Sequence, residues 1–499
     1  MLDAFRKFKE MPGGYGTVNF FDALYTGITV GLVYSLGAGA KILGAGKKWK
    51  PGEKLQILFL AYSGARNTGA EVRVAECIRQ VNQVLGADNI DINMTTLDLA
   101  QAQEYFKGYP VKLHEFSSVF FGDIFKMVLE NHVIVLVEGS CWKENFAVAL
   151  LLYFLYGAGL ARQLGKPCFS YAVDAGNMNK LNNFVSWLLS RDTRLITRSA
   201  MATRVLENIS LTGAVNRVDT AWSMPTKTPA WADARLKKLG WNPKKKLAGL
   251  AFQNYFWWPV IPNLAAFAKT MLTGDATNQY KLVYYYDYDE EDKKLFEAFR
   301  DACAAYMDGL VEKYDVQPVI VAMEALDDGA CKDLISRMKH KAILISCVDY
   351  VGVEIGAILR RLSLLTTTRY HAMVLSMPGC VPFIGLSRDE RISGVMHEIG
   401  EYDNYYIDYR TKNLPAALLE KAARILGNTR EARRFKGAIK KHLPYYYAQM
   451  GMLGLDIRNL VKESFPRFPL PEMDENDAWK HKLGKELHAV GIKVDLTKV

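Results

Sequence analysis

The sequence predicts an α/β protein of two tandem Rossmann-like, doubly wound domains, with an apolar helix ahead of them and helices behind. Three observations carry this. Apolar strand-like runs alternate with amphipathic helical stretches from Leu55 onward, the alternation stops at a Pro- and Lys-rich stretch, and it then restarts. At 499 residues the chain also exceeds what one hydrophobic core ordinarily serves.

In the first series LQILFLAY, from Leu55, reads as a buried strand, SGARNTGAE as a Gly- and Asn-bearing turn, and Val72 to Leu85 as an amphipathic helix. HVIVLVEGS (132–140) is a second strand, followed by a very apolar helix from Phe146 to Leu164. PCFSYAVDAG (167–176) and RLITRS (194–199) supply further strands. Strands apolar on both faces and separated by helices imply a parallel sheet. Residues 224–246 shift to Pro, Lys and polar residues, the composition of a linker. LAGLAF (247–252), KLVYYY (281–286), QPVIVAM (317–323), KAILIS (341–346), LSLLTTT (362–368) and VPFIGL (381–386) restart the pattern. The expected units are domains over 51–225 and 247–426, a linker over 226–246, an apolar and basic segment over 1–50, and a helical segment over 427–499. Such sheets bind ligands beyond the carboxyl ends of their strands, so the site is expected in the cleft between the two halves.

Hydrophobic residues make up 50% and charged residues 23%, which excludes a disordered chain. The net charge of +10 points to an anionic partner such as phosphate, acidic glycan or acidic lipid, and nucleic acid is not expected. Seven cysteines with no paired spacing read as reduced thiols of a reducing compartment, hence a cytoplasmic protein. The eight histidines form no HExxH group, so no metal is expected. Residues 23–40 are eighteen uncharged positions between basic clusters, Arg6, Lys7 and Lys9 before and Lys41, Lys47, Lys48 and Lys50 after. Ala23, Gly27, Gly31, Ser35 and Gly39 recur every fourth residue and form a small-residue face suited to close helix contact. The segment either meets the anionic inner face of the cell membrane or packs as a buried helix on the first domain or a second copy of the chain.

Candidate site residues cluster at strand ends. The turn from Ser63 to Gly69 presents Arg66, Asn67 and Gly69 before a helix amino terminus, which favours an anion. Gly139, Ser140 and Lys143 follow the 132–140 strand, and Asp174 and Asp219 follow later ones. Each of these also has the composition of an ordinary capped turn. Asp287-Tyr288-Asp289 has the form of a metal-binding DxD, yet it runs into Glu290, Glu291 and Asp292, the pattern of a solvated helix start. The sharpest signal is Thr366-Thr367-Thr368-Arg369-Tyr370-His371-Ala372, where a strand ends in hydroxyls and then presents Arg and His two residues apart. Arg offers a planar fork for phosphate or carboxylate, and His moves protons near neutral pH.

From Leu55 to about Ile407 the chain resembles the polysaccharide pyruvyl transferase family. The resemblance rests on Asn67-x-Gly69, the Gly139 loop, LGKPCFSYAVDAG, TRSAMATRVLENI, Asp219, Arg369-x-His371-Ala372, Pro382-x-x-Gly385 and Asp389-Glu390-Arg391. It implies a GT-B-like fold and transfer of pyruvate from phosphoenolpyruvate onto sugar hydroxyls as a ketal. Arg369 would contact the donor's acidic groups, His371 would supply a proton, and Arg391 would help bind substrate. Where family members often carry an arginine after the first strand of the second domain, this chain reads Phe252-Gln253-Asn254 before the run Tyr255-Phe256-Trp257-Trp258-Pro259. Asn254 is kept as a binding candidate, and the aromatic run as a sugar-stacking surface or an interdomain core. Ala70 and then Glu71 follow Asn67-x-Gly69, where the family usually places the acid first.

The leading expectation is therefore pyruvyl transfer from phosphoenolpyruvate to a glycan or lipid-linked glycan, with no cofactor. A GT-B-type glycosyltransferase using a nucleotide sugar is the alternative, with Glu354 placed to meet a ribose. A glycan-binding or assembly protein without turnover is the third reading.

Overall fold

The computed structural model describes residues 2–13, 20–117, 119–144, 147–257, 260–274, 279–281 and 284–472. Trp258, Pro259 and the last part of the expected 427–499 segment lie outside the described residues.

The first half is built on β1 (Leu55–Leu60), β2 (Ile90–Thr96), β3 (Lys112–Glu115), β4 (Val133–Leu136) and β5 (Cys168–Ser170). All run parallel, in the order β3-β2-β1-β4-β5. A short parallel pair, β6 (Ile196–Thr197) and β7 (Val215–Asn216), continues from β5 through bridges at Phe169–Arg194 and Val173–Thr197. In the second half, β8 (Leu247–Ala251) is followed by β9 (Val260–Pro262), β10 (Gln279–Lys281) and β11 (Tyr284–Tyr286). These are followed by β12 (Gln317–Ala322), β13 (Ile343–Ser346), β14 (Leu364–Thr367), β15 (Phe383–Leu386) and β16 (Tyr406–Ile407). The main sheet there has the order β13-β12-β8-β14-β15-β16, again parallel. In each half the first strand is central and the winding reverses beside it, which opens a crevice at the strands' carboxyl ends.

Some sequence expectations change here. β9, β10 and β11 form a separate antiparallel sheet, so Lys281 and Tyr284–Tyr286 of the KLVYYY run do not belong to the main one, while Leu282 and Val283 lie outside the described residues. Within 226–246 the chain forms a helix, Pro229–Lys238, because Thr228 accepts a hydrogen bond from Trp231 N and Pro229 occupies the first turn. Asp289 caps the helix Glu290–Tyr314 by accepting from the amides of Glu291 and Asp292.

Phe20–Ile42 is a helix of 23 residues that packs along Val148–Gln163. Its buried face is Asp22, Thr26, Thr29, Val33, Gly37 and Ala40. Contact is close: a Cβ on Gly37 would come 2.5 Å from Gln163 Cβ, and one on Gly159 would come 2.9 Å from Val33 Cγ1. The small-residue face of Gly27 and Gly31 is therefore not the one packed on Val148–Gln163, since both point into open space.

The last described helix, Thr429–Ser464, touches both halves. Tyr446 stacks on Trp222 of the first half, with ring centroids 4.0 Å apart and planes at 5°. Its hydroxyl donates to Glu398 of the second half at 2.7 Å. The hydroxyl can be removed alone or together with the ring. Tyr446→Ala should cost about 3–5 kcal/mol of unfolding free energy, whereas Tyr446→Phe keeps the stack and should cost only about 1 kcal/mol. Urea denaturation of the two variants measures both; equal losses would show that the ring stack does not brace the halves.

Candidate active site in the interdomain cleft

The turn after β1 is held open by positive φ at Gly64 and Arg66, 80° and 49°. It ends at Asn67, whose side chain accepts from Ala70 N at 3.1 Å and starts the helix Thr68–Leu85. The same turn pairs with the chain after β12. Asn67 bridges Glu324, Thr68 N donates to Met323 O at 2.8 Å, and Ala325 N donates to Arg66 O at 3.1 Å. These bonds fix the two sheets face to face around a cavity of about 580 Å³. Asn67, Gly69, Glu138, Ser140, Lys143 and Arg198 line it from the first half. Tyr255, Arg369, Tyr370, His371, Arg388 and Arg391 line it from the second.

His371 lies in the first turn after β14, with only 15% of its side chain exposed. Its ring packs on the main chain at Gly69, where a Cβ would stand 2.0 Å from Nδ1. Nε2 is 3.4 Å from Asp219 Oδ2 and makes no hydrogen bond. Burial pushes the imidazole down to about 4, Arg198 and Arg391 push the same way, and Asp219 opposes them. The ring is neutral at pH 7, with Nε2 towards Asp219 and Nδ1 towards the Gly69 main chain.

Asp219 has no exposed surface. Burial alone would raise its carboxyl, but Arg73, and after it Arg198, hold it well below the usual range. Arg198 donates to Asp219 at 2.7 Å and to Asp174 at 2.9 Å. Its guanidinium fits over the loop only because residue 139 is glycine, since a Cβ there would be 2.6 Å from Nη1. Lys143 contacts Asp174 at 3.0 Å and Glu390, across the cleft, at 2.9 Å. Asp174 is held low as well, with burial outweighed by Lys143, then Arg198 and Arg391. At the end of β4 Glu138 accepts from Gly139 N at 2.7 Å, while Oε2 is buried without a hydrogen bond. Burial raises its carboxyl against the pull of Arg73. The cleft thus holds a neutral base beside an ionised carboxylate, together with an acid that keeps its proton more tightly than usual.

Asn67, Gly69, Ser140, Lys143, Arg369, His371 and Arg391 meet in the cavity as a set, while Gly139, Asp174 and Asp219 stand behind its wall. Three candidates lie elsewhere. Arg66 turns away to Gln101 and Glu104. Asn254 folds back to accept from Phe256 N at 2.8 Å, and Glu354 accepts from Val351 N at 3.2 Å at a helix start. Arg369 reaches the cavity but is already bound to Asp327, at 2.8 Å through Nε, and to Glu324, at 2.9 Å. Its fork holds two carboxylates of its own chain. Arg391 likewise grips Asp389, at 2.8 Å through Nε. Arg388, not singled out in the sequence, stacks beside Tyr255 and Tyr409 and, among the described residues, contacts no carboxylate. Its one sequence signal was its place next to the Asp389 loop. Arg198 lay inside the RLITRS run read as a strand, with no site role assigned to it.

No protein-family profile matches the chain, and no curated protein does. Solved structures do resemble it. The Anabaena protein HepE in complex with UDP-glucose aligns with a TM-score of 0.53 at 13% identity, over 82% of this chain and all (100%) of that one. A UDP-N-acetylglucosamine 2-epimerase aligns at 0.52 and 13%, over 84% and 99%. The UDP-GlcNAc 2-epimerase of Neisseria meningitidis, bound to UDP-GlcNAc, aligns at 0.50 and 10%, over 82% and 100%. The chain has a GT-B-like fold. In GT-B-like terms the cavity is the crevice between the two Rossmann-like halves, and the Gly69–His371 contact crosses it.

That contact can be tested without knowing a substrate. Gly69 lies within the helix Thr68–Leu85, where alanine is favoured by up to about 1 kcal/mol. Gly69→Ala should nevertheless destabilise the protein, because the new methyl collides with the His371 ring. Adding His371→Ala should restore part of the loss. Urea denaturation of the two singles and the double gives the coupling; a stable Gly69→Ala protein would refute the packing.

Proposed function

We propose that the chain is a GT-B-type glycosyltransferase that uses a nucleoside diphosphate sugar. The observation that carries this reading is the neutral His371 imidazole, backed by the buried Asp219 carboxylate and facing the interdomain cavity. An acceptor hydroxyl attacking an anomeric carbon must give up a proton. A neutral imidazole can take it, and the adjacent carboxylate stabilises the imidazolium that forms. The departing diphosphate gains negative charge, and Arg388 is the cavity guanidinium not matched to a carboxylate among the described residues. The UDP-sugars bound by HepE and the Neisseria epimerase support this donor class.

Pyruvyl transfer from phosphoenolpyruvate is the second reading, favoured by the meeting of Asn67-x-Gly69 with Arg369-x-His371-Ala372 in one cavity. In that reaction the enol carbon gains a proton, two sugar hydroxyls add to the neighbouring carbon, and phosphate leaves. His371 is neutral and therefore poorly suited to be the acid. Glu138, whose carboxyl is raised, takes that role in this reading.

Thermal shift separates the two readings. UDP-glucose or UDP-GlcNAc should stabilise the protein, by about 2.7 kcal/mol at a hundredfold excess over Kd, and phosphoenolpyruvate should not. Arg388→Ala should weaken nucleotide binding about tenfold to a hundredfold. His371→Asn should slow sugar transfer by about 10²–10⁴-fold with little change in donor affinity. The base must be deprotonated, so kcat/KM should stay level from pH 8 towards pH 5 and fall only as pH drops through about 4. A fall centred near the ordinary imidazole value would remove His371 from this role, and stabilisation by phosphoenolpyruvate alone would favour the second reading.

A further inference from the structure

The helix Phe20–Ile42 is inside out for a helix in water. Its covered face carries Asp22, Thr26, Thr29, Gly37 and Ala40 with Val33 as its one fully buried large apolar side chain, whereas Phe20, Leu24, Ile28, Tyr34 and Ile42 face outward. Exposure is high: 73% for Phe20, 50% for Leu24, 44% for Ile28 and 84% for Ile42. Leu43, at 83%, extends the strip beyond the helix, and Val119, at 70%, lies next to Phe120, whose ring meets Tyr25 of the helix. A soluble helix turns its bulky apolar side chains towards the core, and a continuous outward strip of them marks an interaction surface.

Charge selects the partner. Lys41, Lys47, Lys48 and Lys50 are clustered at the carboxyl end of the strip, and none of them makes an ion pair among the described residues. An apolar strip beside exposed lysines matches the hydrocarbon edge and anionic headgroups of a bilayer. The helix is long and apolar enough to cross a membrane. Its other face, however, is fastened lengthwise to Val148–Gln163 through the Gly37–Gln163 and Val33–Gly159 contacts. A helix bound along its length to a folded domain lies in the interface and does not span it.

We propose that the outer face of Phe20–Ile42 docks on an anionic lipid surface with the helix axis in the membrane plane. Asp22, in the first turn of the helix, is within electrostatic reach of Glu144, one of the residues lining the cavity. This inference does not depend on which donor the cleft takes.

The test is flotation of the full chain with vesicles of phosphatidylcholine alone or mixed with phosphatidylglycerol. The protein should float with the mixed vesicles, less with the neutral ones, and less as salt rises. The double variant Leu24→Glu, Ile28→Glu alters only outward positions, so it should keep its thermal midpoint and stay at the bottom of the gradient. Reversing Lys47, Lys48 and Lys50 to Glu should weaken binding by at least about fivefold per lysine. The proposal is overturned if the wild-type chain does not float, or if the Leu24→Glu, Ile28→Glu protein floats equally well. It is also overturned if light scattering shows a dimer that this double variant dissolves in the absence of lipid binding, since a second copy would then own the face.

Discussion

Asp219 holds a negative charge with no exposed surface, and the architecture of the site follows from how that charge is satisfied. A carboxylate removed from water is stable only when paired and hydrogen-bonded. Arg73, itself fully buried, lies 3.2 Å from it and sends its remaining donors to Val137 O at 3.2 Å and Ala172 O at 2.6 Å, just beyond β4 and β5. Arg198 ties the same carboxylate to Asp174. The carboxyl ends of several strands of the first half are thereby referenced to one atom group. His371 of the second half approaches the same group, so the imidazole inherits a position set largely by the other half of the molecule.

The parts of the fold that were legible in the sequence are those where burial on both faces leaves a continuous apolar run. β1, β4, β8 and β14 are of this kind. β2 escaped because its sequence, IDINMTT, looks polar. Its polar side chains are buried in specific pairs, Asn93 with Asn131 at 2.9 Å and Thr95 with the Tyr153 hydroxyl at 2.6 Å. Pairings between residues far apart in the chain leave no local pattern. The helix Phe20–Ile42 shows a related limit. Its spacing of small residues was visible, but which face would be covered depended on Gly159 and Gln163 of another helix.

The site follows the same division. His371 could be found from residue type and position, since a basic group at the carboxyl end of a buried strand in such a fold has few structural uses. The duties of the arginines could not. Arg369 and Arg391 are saturated by Asp327, Glu324 and Asp389, and Arg388 is left to the cavity by geometry that no spacing encodes. Reading guanidinium count as anion capacity therefore overestimates the positive charge available to a ligand. In the folded protein that capacity depends on which carboxylates have already been recruited.

The helix Thr429–Ser464 has a consequence for the order in which the molecule is assembled during synthesis. Asp219 caps the turn Thr220–Ser223, and Trp222 in that turn is covered by Tyr446. Gln80, on the helix that begins at Asn67, donates to Met450 O at 2.7 Å, across 370 residues of sequence. A nascent chain can form its first sheet early, because those strands pair among themselves. The flank beside Asp219 then stays uncovered until nearly the whole chain has left the ribosome. The cleft is thus completed last, and a product terminated between Ser223 and Tyr446 carries a first half with an open apolar flank, the kind of surface that chaperones and proteases recognise.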